Sequence, residues 1–295
     1  MTGITFPTRE VWLAERARNI GGTESPILLG VAPSYAMSPW TLYQVKAGHI
    51  PPPQMDGERI DWGLRLEPAI AQAAAEQEGW KIRKGEYYKH PRIDGMGTSL
   101  DYLIEGSKPG ILECKNVDAL TFDRSWQGDL PTHYHVQVQH QLACTDCEWA
   151  AVAALVGGNR LEVYHIERRP GVIVEIQRRV MDFWSSIRRN EPPPVDDSAS
   201  TAAAIATLFP APEPGKTYEL AGEEDLSLWQ DLRQAQLDSK AADAQERAAK
   251  NNLLARIADA EFISYEGKVV GTYRQQTRKE HLVREATFRV LRIKE

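Results

Sequence analysis

The run GTSLDYLI (Gly97–Ile104), EGSKPG (Glu105–Gly110) and ILECKN (Ile111–Asn116) decides how this chain is read. Gly106, Pro109 and Gly110 are turn formers between two strand-like stretches, and the pattern predicts a β-hairpin over Gly97–Ile104 and Gly110–Lys115. Side chains two apart on a strand share a face, so Glu113 and Lys115 project together while Cys114 points back into the core. Closing the hairpin sets Asp101 beside Glu113, and two adjacent carboxylates repel unless a cation lies between them. Hard oxygen donors in that arrangement suit Mg2+, with Mn2+ able to substitute. A surface hairpin with an ordinary Glu–Lys pair reads the same in isolation, so the company of this segment matters.

Upstream, Gly21–Gly30 reads as a turn and a short apolar run, and Asp61–Glu78 carries leucines and alanines at helical spacing. Glu67 precedes Pro68, and proline disfavours helical geometry in the residue before it, so Glu67 is expected at a helix start or kink. Downstream, His133–Ala143 reads as a helix, and Trp149–Val156 and Arg160–Ile166 as strands around Gly157-Gly158. Val172–Arg189 reads as a closing helix. The proline-, alanine- and acid-rich tract that follows predicts a linker. The expected organisation is therefore a mixed α/β domain over 1–190, a linker over 191–215 and a smaller, mainly helical appendage over 216–295. In that appendage Glu223–Ala260 forms one long helix or a helical hairpin, and strands follow from Phe262 around a Glu266-Gly267 turn.

With 295 residues, the length itself favours two domains. The small-residue tract around Thr201–Thr207 is too poor in apolar residues to span a bilayer, and the N-terminal stretch lacks a basic-then-apolar export pattern. A cytoplasmic protein without a membrane partner is expected. Cys114, Cys144 and Cys147 cannot build a disulfide framework, and a zinc site on the Cys144-x-x-Cys147 pair would need His135 or His140 to complete it. Pro210 stands where a phosphate-binding loop ending at Lys216-Thr217 needs glycine, which excludes an ATPase of that type. The net charge of -6 argues against electrostatic coating of nucleic acid. Locally the balance reverses: seven arginines lie between Arg160 and Arg189, and eight Lys and Arg face three Glu from Lys268 to Glu295.

Taken in order, WLAERARNIGGTES, WGLRLEPAIAQ, GTSLDYLI, GILECKN and HYHVQVQHQL resemble the phage-type alkaline exonucleases of the lambda exonuclease and YqaJ recombinase family over about Val11–Arg189. The resemblance implies the PD-(D/E)XK nuclease fold. It makes Asp101 and Glu113 metal-binding carboxylates joined by the backbone carbonyl of Cys114, Lys115 the catalytic lysine and Glu67 a helix carboxylate. Gln139, with Gln137 as the alternative, matches the glutamine that positions water or the scissile phosphate; a spacing of two puts them on different sides of a helix. Arg16 and Thr23, four and eleven residues after Trp12, match an arginine and a serine that hold a terminal 5′-phosphate, with Arg18 as competitor. Leu100 replaces the proline of the fold's name, and Cys114 between the pair reads as a buried thiol.

The expected function is a Mg2+-dependent exonuclease that resects linear double-stranded DNA 5′ to 3′ and leaves 3′ overhangs for recombination. The resemblance further implies a ring of three subunits around DNA and a single-strand annealing partner. A structure-specific or restriction-type endonuclease of the same fold, and a silent DNA-binding scaffold, are the alternatives.

Overall fold

A computed structural model describes residues 2–53, 57–126, 128–277 and 285. The first unit, 1–208, opens with three short helices, α1 (Arg9–Ala17), α2 (Ser25–Leu28) and α3 (Pro39–Lys46), and the long α4 (Glu58–Glu78). Strands β1 (Lys81–Lys84), β2 (Tyr87–Lys89), β3 (Gly97–Ser99), β4 (Tyr102–Glu105) and β5 (Gly110–Val117) follow, then α5 (Ala119–Ser125) and α6 (Thr132–Cys144). Strands β6 (Trp149–Val156) and β7 (Arg160–Glu167) precede α7 (Pro170–Arg189) and α8 (Ala199–Leu208).

The main sheet runs β1-β4-β5-β6-β7, antiparallel except for the parallel pair β5 and β6. Strand alternation divides the core into two layers. Ile111, Val117, Val152 and Val156 pack with Val138 of α6 and Ile176 of α7, whereas Leu112, Ala151 and Ala153 pack with Ile70, Ala71 and Ala74 of α4. This α/β architecture agrees with the expected fold class.

Three details depart from the expectations. The stretch Gly97–Ile104 is two strands: β3 pairs with β2 in a separate small sheet, and β4 pairs with β1 and β5. The chain switches sheets at Leu100-Asp101, where Leu100 donates its N–H to the Glu86 carbonyl and Asp101 accepts from the Gly85 N–H. A Cβ on Gly85 would strike the Leu100 carbonyl, so the crossing requires glycine there. Second, of the helix start or kink expected at Glu67-Pro68, the start is excluded, because both residues lie inside α4. The carbonyl deprived of its partner by Pro68 belongs to Leu64, which is 64% exposed, so water can satisfy it. Third, the expected linker contains α8. Ala204 and Leu208 pack with Trp40 and Ile50, and Thr201 bonds the Ser38 hydroxyl at 2.7 Å, burial that a composition-based reading of alanine and proline does not register.

The second unit, 209–295, holds one uninterrupted helix, α9 (Gly222–Ile257), and a hairpin of β8 (Phe262–Tyr265) and β9 (Lys268–Thr272). Its turn residues Glu266 and Gly267 have φ of 50° and 77°, the backbone that tight hairpins use. The basic stretch from Arg278 onward lies outside the described residues, Glu285 excepted.

Candidate active site

Strand β5 presents Glu113 and Lys115 on the face toward α6, and Cys114 packs with the α4 layer behind the sheet. The β4–β5 register pairs Tyr102 with Leu112, so the bend at Asp101 sits one step further, opposite Glu113. Asp101 Oδ2 accepts the Cys114 backbone N–H at 2.8 Å. The Lys115 ammonium donates to Glu113 Oε1 at 2.6 Å and to Gln137 Oε1 at 3.3 Å, and lies over the Tyr134 ring at 4.9 Å.

Helix α6 closes the site. Gln137 Nε2 donates to Glu113 Oε1 at 2.5 Å and Gln141 Nε2 to Glu113 Oε2 at 2.6 Å, so both oxygens of a carboxylate only 5% exposed are held. Residues four apart share one helix face, which is why these two glutamines act together. Gln139 is rotated away: it donates to the Glu167 carbonyl and accepts from the Arg169 N–H, both at 2.7 Å, tying β7 to α7. The expectation that Gln139 serves the site is thus corrected to Gln137, and Gln141 is a member that the sequence reading missed. Its only signal was the spacing of four from Gln137.

Charge in the site is unbalanced. Burial, reinforced by the neighbouring Glu113 charge, pushes the Asp101 carboxyl up to about 8, against the opposing pull of Lys115 and the Cys114 N–H. Burial works against the Lys115 ammonium, yet Glu113 and Asp101 outweigh it and hold its pKa above the ordinary lysine value. Glu67 accepts from the Lys84 ammonium and lies near enough to Asp101 for its charge to add to the upward shift. Burial also raises the Cys114 thiol, and the nearby carboxylates add to the effect, so it is no nucleophile.

Among the described residues no three His, Cys, Asp or Glu side chains cluster closely enough to hold a metal alone. A divalent cation would therefore use the Asp101 and Glu113 carboxylates, completed by the Cys114 backbone carbonyl and water. The all-oxygen donor set and the surplus negative charge both fit a hard cation. The same absence, among the described residues, of a cluster of three such side chains speaks against the zinc reading, and both ring nitrogens of His140 are taken, by the Ser25 hydroxyl (2.5 Å) and the Gly97 carbonyl (3.0 Å). All three cysteines are free thiols.

A cavity of about 170 Å³ joins this cluster to the N-terminal segment; Arg16, Thr23, Asp101, Glu113, Gln137 and Gln141 are among its walls. Arg16 lies over the Trp12 ring at 4.8 Å, and Trp12 is anchored by its indole N–H to Ser99 Oγ at 3.1 Å. Arg18 is the exposed C-cap of α1 and is not among the lining residues. Four arginines of the 168–189 pairs are engaged locally. Arg168 donates to the Leu142 and Cys147 carbonyls, Arg178 and Arg179 pair with Glu175, and Arg189 pairs with Glu191.

A mixed sheet between α4 and α6–α7, with two carboxylates and a lysine at a break beside its central strand, has the architecture of the PD-(D/E)XK nuclease fold. Residues 11–148 match the model of the family described as the YqaJ-like viral recombinase domain. The chain is 29% identical over 259 residues to the uncharacterized protein YqaJ of Bacillus subtilis (strain 168), covering 86% of this chain and 80% of that one. Its fold matches the alkaline exonuclease LHK-Exo of Laribacter hongkongensis with a TM-score of 0.52 and 22% identity, over 62% of this chain and 94% of that one. The same exonuclease in complex with dAMP matches equally well.

Proposed function

We propose that this chain is a metal-dependent exonuclease that resects linear double-stranded DNA from the 5′ end and leaves a 3′ single strand for recombination. The observation that carries the reading is the convergence of Asp101, Glu113, Gln137 and Gln141 with Arg16 and Thr23 on one cavity, with Lys115 held against Glu113. The match of residues 11–148 to the YqaJ-like viral recombinase domain and the exonuclease fold neighbour support it.

Asp101, Glu113 and the Cys114 carbonyl would hold Mg2+, or Mn2+ in its place, which supplies Lewis-acid polarisation of the phosphate and a lowered pKa for bound water. The chain's own groups do the rest. Lys115, kept protonated, faces the developing negative charge of the phosphoryl group. Gln137 and Gln141 fix the orientation of the Glu113 carboxylate, and Glu67 adds negative potential beyond Asp101. Arg16, with a guanidinium suited to a phosphate dianion, and the Thr23 hydroxyl take the terminal 5′-phosphate. Assembly as a ring of three around DNA would let a protein of net charge -6 stay on its substrate without strong adhesion, and a single-strand annealing protein is the proposed partner for the product.

The test is Mg2+-dependent digestion of linear duplex bearing a 5′-phosphate and a distinct label at each end, run beside a nicked circle. Early release of the 5′ label with the 3′ label retained is the expected result. Circles cut as readily as linear DNA would instead establish the endonuclease reading. In the same assay Gln141→Ala is expected to lower the rate by about tenfold or more through loss of carboxylate orientation. Gln139→Ala should leave the rate near wild type while costing about 1 kcal/mol of stability, since it removes two part-buried hydrogen bonds, to the Glu167 carbonyl and from the Arg169 N–H. Thermal melts of both variants complete the comparison.

A further inference from the structure

Lys46, the last residue of α3, sends its side chain into the protein, where it is 4% exposed. Its ammonium has three acceptors within reach: the Arg16 carbonyl at 3.0 Å, the Asn19 carbonyl at 2.6 Å and Glu24 Oε2 at 2.9 Å. All three of its donors are thereby used. The same Glu24 oxygen accepts the Gly21 N–H at 2.8 Å. One buried ion pair thus grips the segment 16–24 at four points, and that segment supplies Arg16, Asn19, Gly21, Gly22 and Thr23 to the wall of the catalytic cavity.

The placement has physical consequences for Arg16. A cation at the C-terminal end of α1 is favoured by the negative end of the helix dipole there. It also sits near enough to the Arg16 guanidinium for the two charges to repel, while the Trp12 face attracts that guanidinium from the other side. Burial lowers the Lys46 pKa and Glu24 opposes that shift. Severing such a pair from one side leaves a buried charge uncompensated.

We propose that Lys46 and Glu24 are a positioning latch: they touch no reacting atom, and they hold the loop that presents Arg16 and Thr23 so that the site selects DNA ends bearing a terminal phosphate. The inference rests on the terminal-phosphate reading above and extends it to two residues outside the cavity wall. Displacing a substrate-positioning group by about 1 Å can cost a hundredfold in rate, so the latch acts on selectivity without contributing a contact of its own.

The experiment compares kcat/KM on duplexes with a 5′-phosphate and with a 5′-hydroxyl for the wild-type full chain, Lys46→Met and the double variant Lys46→Met/Glu24→Gln. The double variant removes both charges together, which keeps the test available where the single variant fails to fold. A fall of about tenfold or more in the phosphate-to-hydroxyl ratio, carried by KM, is expected. A merely structural role would lower the active fraction and reduce both rates in parallel, leaving the ratio unchanged. That result, with the wild-type preference intact, overturns the latch alone. A wild-type enzyme indifferent to the 5′ group overturns the terminal-phosphate reading and the latch with it.

Discussion

Glu113→Gln is expected to reduce cleavage of linear duplex by about three orders of magnitude or more, because it removes charge where the reaction needs it while keeping the side chain's volume. Glu113→Ala should be equally inactive and far less stable. In the native protein the carboxylate accepts from Lys115, Gln137 and Gln141 at 2.5–2.6 Å, and truncation strips all three donors at once. Removing one side of a buried ion pair costs about 3–5 kcal/mol. Adding Lys115→Met to Glu113→Ala should restore part of that loss by removing the orphaned ammonium, with cleavage still absent. A double-mutant cycle on thermal or urea unfolding gives the coupling directly; additive effects would show that Lys115 and Glu113 do not depend on each other.

Asp101→Asn is expected to abolish cleavage and yet stabilise the metal-free protein at alkaline pH. Asp101 is raised in the folded state from the ordinary 3.8 to about 8, chiefly by burial and then by Glu113. A folded pKa above the unfolded one means that the folded state binds the extra proton. The associated stability is complete below about pH 4 and is lost progressively as pH rises to about 8. Each unit of displacement corresponds to about 1.4 kcal/mol. The asparagine variant has no such loss, and its side-chain carbonyl can still accept the Cys114 N–H. Its melting temperature should therefore exceed the wild type's at pH 8–9, by several degrees if one or two units of the shift are realised, and the gap should close toward pH 4. Saturating Mg2+ should restore the wild type and leave the variant unchanged, as expected where the cation binds the folded carboxylate pair. Equal melting temperatures across the pH range would mean that the carboxylates are already neutralised within the protein.

Much of the architecture is legible in local pattern. The period-two alternation of β5 placed Glu113 and Lys115 together and Cys114 behind them, because pleat geometry depends only on neighbouring residues. The turn residues between Ile104 and Ile111 announced the hairpin, and the order of motifs pointed to the family whose model residues 11–148 match. Local pattern failed where a distant group decides the outcome. The stretch Gly97–Ile104 reads as one strand, but it divides between two sheets because its pairing, first with β2 and then with β1 and β5, is set by segments outside it.

From the sequence alone came the turn that joins β4 to β5, the face of β5 that carries Glu113 and Lys115, and the candidate carboxylates. The tertiary structure decided which glutamines of α6 face Glu113, where the chain changes sheets at Leu100-Asp101, and that Lys46 reaches back to Arg16, Asn19 and Glu24. The physical reason is the same in each case. Periodicity sets the spacing of side chains within an element, while the rotation of that element against its neighbours is set by long-range burial, to which no local pattern is sensitive.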